Sequence, residues 1–231
     1  MRSEELISKT PHSYFCNPNS YQGRLSMYNV TFYLRRLHSL AGLVCLGGFL
    51  LEHILTNARV LISPASFNSA VDLLASIPWF IMLPLEIGLV AAPFLFHTIY
   101  GIYIAWQAKN NPQHYAYINN IQFFLQRLTA WFLVVFLAWH VFYLRILVKG
   151  GGTHISFQLL QSYFENPVYW VLYLLGMWAA IFHFCNGITT FCMTWGIAKG
   201  PRIQNVINAG AMGLCAFLCL VSLAFMAVYL M

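Results

Sequence analysis

Four histidines, His53, His97, His140 and His183, each stand inside a long run of apolar residues. An imidazole held in hydrocarbon is costly unless it binds something; taken singly it more often bonds a backbone carbonyl or a hydroxyl, but four in successive spans point to a metal or a proton path. Their positions along the chain sort them. His53 lies four residues before Asn57 and His140 five before Arg145, which at about 1.5 Å per helical residue is roughly 6–8 Å below one surface. His183 lies sixteen residues after Pro167 and His97 nineteen after Pro78, roughly 24–29 Å below that same surface. One pair is shallow and the other deep. Two imidazoles facing each other at one depth can ligate a haem iron from both sides, so the pattern predicts two b-type haems stacked across a bilayer. The competing use of the same residues is a haem-free proton or ion transporter. It needs polar groups continuing between the two levels, and only Glu52 and Glu86 offer themselves.

The elements that must position these residues are membrane helices. Of 231 residues 60% are hydrophobic and only 8% charged, against about a quarter charged in a soluble domain. The apolar residues fall into blocks of the ~20 residues that a spanning helix requires. Five spans are expected, at about 36–57, 79–107, 124–147, 168–198 and 204–229. The fold class is therefore an all-α membrane protein, five transmembrane helices forming a bundle around the two haems. Basic residues set its orientation. Arg2, Lys9, Arg24, Arg35, Arg36, Lys109, Arg127, Lys199 and Arg202 share one side, and Arg59, Arg145 and Lys149 the other. Nine against three predicts a cytoplasmic N-terminus and, after five spans, an outside C-terminus. The net charge of +6 is dispersed over span ends; it marks membrane lipid as a partner and not nucleic acid.

Residues 1–34 read as a cytoplasmic extension, polar and without the apolar core of a signal peptide, and 35–231 as the transmembrane dihaem domain. Amphipathic runs at 66–74 and 155–165 are expected to lie at the interface, and Pro84 and Pro93 to kink the second span. The six cysteines form no C-x-x-C pair, which excludes the usual covalent haem attachment. Gly42, Gly101, Gly176 and Gly187 lie at helical spacings from the histidines; each serves either helix packing or clearance beside a macrocycle. Arg35, Arg36 and Arg127 on one side, and Arg59 and Arg145 on the other, are at depths suited to haem propionates. His12, His114 and His154 fall in loops as solvated residues. His38 sits at the inner boundary with no partner at its depth.

Several separate motifs then resemble one family. Arg35-Arg36-Leu37-His38-Ser39-Leu40 with His53 fifteen residues on, Phe67-Asn68-Ser69-Ala70, Phe96-His97-Thr98-Ile99-Tyr100-Gly101, Gln126-Arg127-Leu128-Thr129, Trp139-His140, and Ile181-Phe182-His183-Phe184-Cys185-Asn186-Gly187 are similar to the cytochrome b anchor of bacterial succinate:menaquinone oxidoreductase. The similarity is to the single-chain, five-helix, two-haem type and covers about residues 30–230. It implies that His53 and His140 ligate an outer, low-potential haem and His97 and His183 an inner, high-potential one. It also implies two cytoplasmic partners, a flavoprotein that oxidises succinate and an iron–sulfur subunit that passes electrons on, with a membrane quinone, menaquinone, as acceptor. Some fumarate reductases of the wider family carry a Glu two residues before the last histidine; here that residue is Ile181, which favours succinate oxidation over the quinol:fumarate reductase alternative.

Quinone reduction takes up protons. Glu86 stands eleven residues before His97, in a regular helix the same face and roughly 16 Å nearer the outer side. Asp72 lies on the amphipathic outer connection. Both are candidate proton donors to a quinone near the outer haem.

Overall fold

The computed structural model describes residues 30–109, 113 and 117–231. His12, His114, the connection at 110–112 and nearly all of the predicted extension lie outside them. The chain divides into units Met1–Arg35 and Arg36–Met231; residues 30–35 are helical, and the second unit holds the bundle and all four histidines of the two predicted pairs.

Among the described residues, five helices are long and apolar enough to cross a membrane: α1 (Val30–Leu61), α3 (Trp79–Gln107), α4 (Ile118–Lys149), α6 (Pro167–Thr194) and α7 (Pro201–Val228). Two short helices, α2 (Pro64–Ala75) and α5 (Phe157–Phe164), fall in the connections where the amphipathic runs were expected. Their ends follow from capping chemistry. Ser63 accepts from the Ser66 amide before Pro64, Ser156 from Leu159, and Asn166 from Val168 before Pro167, so the first amides of each helix are satisfied. At the other end of α6, Gly196 has φ 72°. Its amide donates to the Met193 carbonyl and that of Ile197 to Cys192, the paired closure that needs a left-handed residue after the last turn.

Hydrocarbon offers no hydrophobic drive between helices, so packing and internal polar bonds hold the bundle. The core lies between α1, α4, α6 and α7 and beneath the two short helices. Ile54, Phe67, Phe136, Phe157, Phe164, Ile181, Cys185, Phe225 and Tyr229 are buried there. Trp170 Nε1 donates to the Met226 carbonyl at 2.8 Å and Trp178 Nε1 to Ser222 Oγ at 3.2 Å, tying α6 to α7. By contrast α3 has no fully buried residue and lies at the margin, against α1.

Three spans depart from regular helix. π-type turns occupy Ala41–Leu46 in α1, Glu86–Ala91 in α3 and Val141–Lys149 in α4. In α3 the cause is local: Pro93 has no N–H to offer Leu89, and the wider turn before it absorbs the interruption. The eleven residues from Glu86 to His97 run through that turn and Pro93. The same-face register expected of a regular helix therefore does not carry over, because each added residue turns the helix by about 100°.

Candidate functional site

The four histidines meet in two pairs. The His53 and His140 rings, from α1 and α4, have centroids 6.1 Å apart with planes at 81°. Those of His97 and His183, from α3 and α6, are 6.2 Å apart at 83°. A metal held by ring nitrogens at about 2 Å on either side separates the two centroids by roughly 6 Å, so the spacing of both pairs would suit two ligands of one ion. Among the described residues no group of three or more His, Cys, Asp or Glu side chains is placed to hold a metal. Each pair thus supplies two ligands only, which suits a metal whose remaining positions are filled by a macrocycle.

The surroundings of the two pairs differ. His97 Nδ1 lies 3.0 Å from the His38 carbonyl, and His183 Nδ1 lies 3.2 Å from that of Gln126. In each case an Nδ1–H donating to a carbonyl fixes the tautomer and leaves Nε2 unprotonated, with a lone pair that could bind a metal. The side chain of His38 stacks on His97, ring centroids 4.0 Å apart and planes within 6°. The partner that sequence position did not reveal for His38 is thus His97, on α3. Gly42 and Gly101 make this possible. A Cβ at Gly42 would fall onto the His97 ring, and one at Gly101 would stand 3.1 Å from His38 Cε1.

The second pair sits among rings. His140 lies 5.7 Å from Phe136 and 5.5 Å from Tyr173, and His53 lies 5.6 Å from Phe49. The buried Nδ1 of His140 has no hydrogen-bond partner among the described residues. Gly176 gives its space to Phe136, the ring beside His140, and Gly187 has only Gln126 Nε2 near it, at 4.0 Å. Trp139, Tyr143, Tyr163, Tyr169 and Tyr173 continue the aromatic cluster toward α5. Burial, with Tyr143 and Tyr169 beside it, pushes the Tyr163 phenol up to about 12, so it stays neutral at physiological pH.

The arginines separate into distinct roles. Arg127 is 8% exposed, its Cζ 3.6 Å from the Phe123 ring centroid. None of its three guanidinium nitrogens has a hydrogen-bond partner among the described residues. A buried, unpaired charge costs several kcal/mol, and an anionic group such as a propionate relieves that cost. Arg36 lies over the Trp195 ring at 5.1 Å and reaches the Thr194 carbonyl at 3.5 Å; Arg35 and Arg59 are exposed. Arg145 forms an ion pair with Glu86. The two line a cavity of about 270 Å³ between the start of α3, the end of α4 and the end of α2, with Leu74, Trp79, Met82, Leu83 and Lys149. Asp72 is not among its walls. It pairs instead with His154, Oδ1 to Nε2 2.9 Å, so His154 is exposed but not simply solvated.

Two polar residues beside His183 were overlooked by reasoning from the histidines alone. Gln126 Nε2 donates to the His183 carbonyl at 3.0 Å, and Asn186 Nδ2 to Gln126 Oε1 at 2.9 Å. The signal was available: an amide one turn from a buried histidine, within an otherwise apolar span.

Over residues 109–225 the chain matches the family described as the succinate dehydrogenase/fumarate reductase transmembrane subunit. It is 38% identical over 178 residues to the succinate dehydrogenase cytochrome b558 subunit of Bacillus subtilis (strain 168), covering 77% of this chain and 87% of that protein.

Proposed function

The chain belongs to the succinate dehydrogenase/fumarate reductase transmembrane subunits, as a cytochrome b membrane anchor, and from that premise we propose that it carries electrons between its soluble partner subunits and membrane quinone. The observation that carries the reading is the meeting of four distant histidines in two pairs at 6.1 and 6.2 Å. His53 and His140 would hold one b haem, and His97 and His183 the other. When bound, such a group supplies a one-electron carrier in the membrane interior, and the protein tunes it through ligands, hydrogen bonds and charge.

Each residue contributes through its own chemistry. The carbonyls of His38 and Gln126 hold the Nδ1 protons of His97 and His183 and keep Nε2 unprotonated. The Arg127 guanidinium offers a buried positive charge near that pair, suited to a propionate. The excess of basic residues supports a cytoplasmic Arg127 end, to which the iron–sulfur and flavoprotein subunits would dock, and an outer Arg145 end. Quinone is taken to bind at the outer end, where Glu86 lines the cavity with Arg145. There Glu86, whose Oε2 is paired with Arg145, turns its other carboxylate oxygen to relaying a proton to a quinone oxygen, while Leu74, Trp79, Met82 and Leu83 give the ring an apolar wall. Asp72, paired with His154, hands protons on from the surface at most. Ile181 is fully buried and puts no carboxylate beside His183, which supports the succinate-oxidising direction.

The test is a redox titration of the purified complex followed by visible spectroscopy. Two b-type components, both reduced by succinate through the partner subunits, are expected. A single component, or none, overturns the reading, and a haem-free chain returns the histidines to a proton pathway.

A further inference from the structure

Gln126 touches His183 twice, across 57 residues of sequence. Its backbone carbonyl faces the ring Nδ1 at 3.2 Å, and its side-chain Nε2 donates to the His183 carbonyl at 3.0 Å. Its remaining amide oxygen accepts from Asn186, at 2.9 Å. Asn186 stands three residues after His183, on the same side of α6, and is 4% exposed. Thr129, one turn further along α4, donates its hydroxyl to the Leu125 and Gln126 carbonyls at 2.8 and 3.1 Å. Its oxygen lies 3.5 Å from His183 Nδ1. The His183 carbonyl, the His183 ring and the Asn186 side chain all meet one turn of α4.

Amide pairs between membrane helices serve as general glue, worth about 1 kcal/mol each. This pair differs from ordinary glue in where it acts. A bond to the His183 carbonyl fixes where α6 stands against α4, and that sets the length of the ring's own Nδ1–H···O bond to Gln126. A shorter bond makes the imidazole a stronger donor and favours the ferric ion; a longer one does the reverse. Nothing equivalent holds His140, whose Nδ1 has no partner among the described residues.

We propose that Gln126 and Asn186 are positioning residues that set the orientation and donor strength of the His183 imidazole, and through it the reduction potential of one of the two sites. The inference rests on His183 being a haem ligand. Replacing the pair together, Gln126→Leu with Asn186→Leu, removes both amides and leaves no orphaned polar group. Gln126→Glu is the conservative rescue: a carboxyl buried in apolar surroundings is held neutral, accepting from Asn186 and donating to the His183 carbonyl.

The experiment is redox titration and low-temperature EPR of the ferric complex carrying these variants, with His183→Ala as a reference. In the double leucine variant, one component should move to higher potential by about tenfold in its oxidised-to-reduced ratio, ~59 mV for a one-electron couple. Its low-spin signal, sensitive to the angle between the imidazole planes, should change with it. The other component stays in place as an internal control, and Gln126→Glu restores both readouts. Two unshifted components, or equal shifts or losses in both, overturn the proposal and leave the amides as helix glue. Retention of both components in His183→Ala would instead overturn the ligand assignment, whatever the amide variants do.

Discussion

The two histidine pairs have nearly the same separation and the same near-perpendicular planes, yet they are held by opposite means. At the Arg127 end, hydrogen bonds do the holding: two backbone carbonyls, an amide clamp and a third imidazole stacked on His97. At the Arg145 end, His140 is boxed by Phe136 and Tyr173, and His53 is backed by Phe49. Polar bonds fix a tautomer and a rotation angle, whereas aromatic packing fixes a volume and leaves the ring nitrogen to its ligand. Carbonyl partners alone would make His97 and His183 the stronger donors and would lower the potential of a haem held between them. Positive charge would act the other way, and the unpaired guanidinium of Arg127 is a source of it.

The largest effects are expected at the four histidines themselves. His53→Ala should remove one b-type component and His183→Ala the other, each leaving about half the haem by extraction, because on the proposed reading each residue would supply one of two protein ligands. Loss of both components from either variant would mean that the sites do not stand independently. Next comes Gly42→Val, whose side chain would enter the volume of the His97 ring. Overpacking of this kind costs about 1–3 kcal/mol, so thermal stability should fall and only the His97–His183 component should weaken in the visible spectrum. Glu86→Gln acts at the opposite end. Quinone reduction should drop by about 10²-fold, the usual worth of a positioned acid, while haem content and succinate oxidation with a soluble acceptor stay level. A rate of quinone reduction equal to the parent's would remove Glu86 from the proton path.

Smaller effects sharpen the contrast. Arg127→Gln deletes a buried positive charge that would stabilise the reduced form of a haem held by His97 and His183. It should lower the potential of the His97–His183 component by about one tenfold step, ~59 mV, and leave the other still; an upward shift would show that the guanidinium does not set that potential. Tyr163→Phe tests the aromatic end. With its phenol near 12 in the fold and about 10 when unfolded, Tyr163 keeps its proton in the folded state after the unfolded chain has lost it. Stability therefore falls as pH rises between those values. The phenylalanine variant should show a shallower decline in melting temperature from pH 10 upward, and an identical slope would discount the shift.

Much of this architecture could be read from residue types and counts. Apolar block length located five spans, and amphipathic pattern located α2 and α5, because lipid imposes a length and an interface imposes a face. Counting along helices also brought together the histidines that the structure pairs, since depth is nearly additive in residue number. Lateral relations were harder. That His38 stacks on His97 depends on how α1 crosses α3, which no local pattern encodes. The bearing of Glu86 was hidden for another reason: the turn before Pro93 breaks the periodicity on which the count relied. Gln126 and Asn186 were visible as isolated amides, but their hydrogen bonds depend on which faces of α4 and α6 meet.

The wide turns in α1, α3 and α4 have a consequence for how such a chain tolerates change in length. A helix containing one carries a spare residue, slack in a rod that otherwise has none. Removing one residue from Ala41–Leu46 would let α1 close into an unbroken helix with both flanks keeping their bearing, whereas the same deletion in α6, where no slack exists, would swing everything beyond the cut by about 100°. Single-residue gains and losses in related chains should therefore gather at these three places, so that the histidines on either side keep facing their partners while the residue numbering between them drifts.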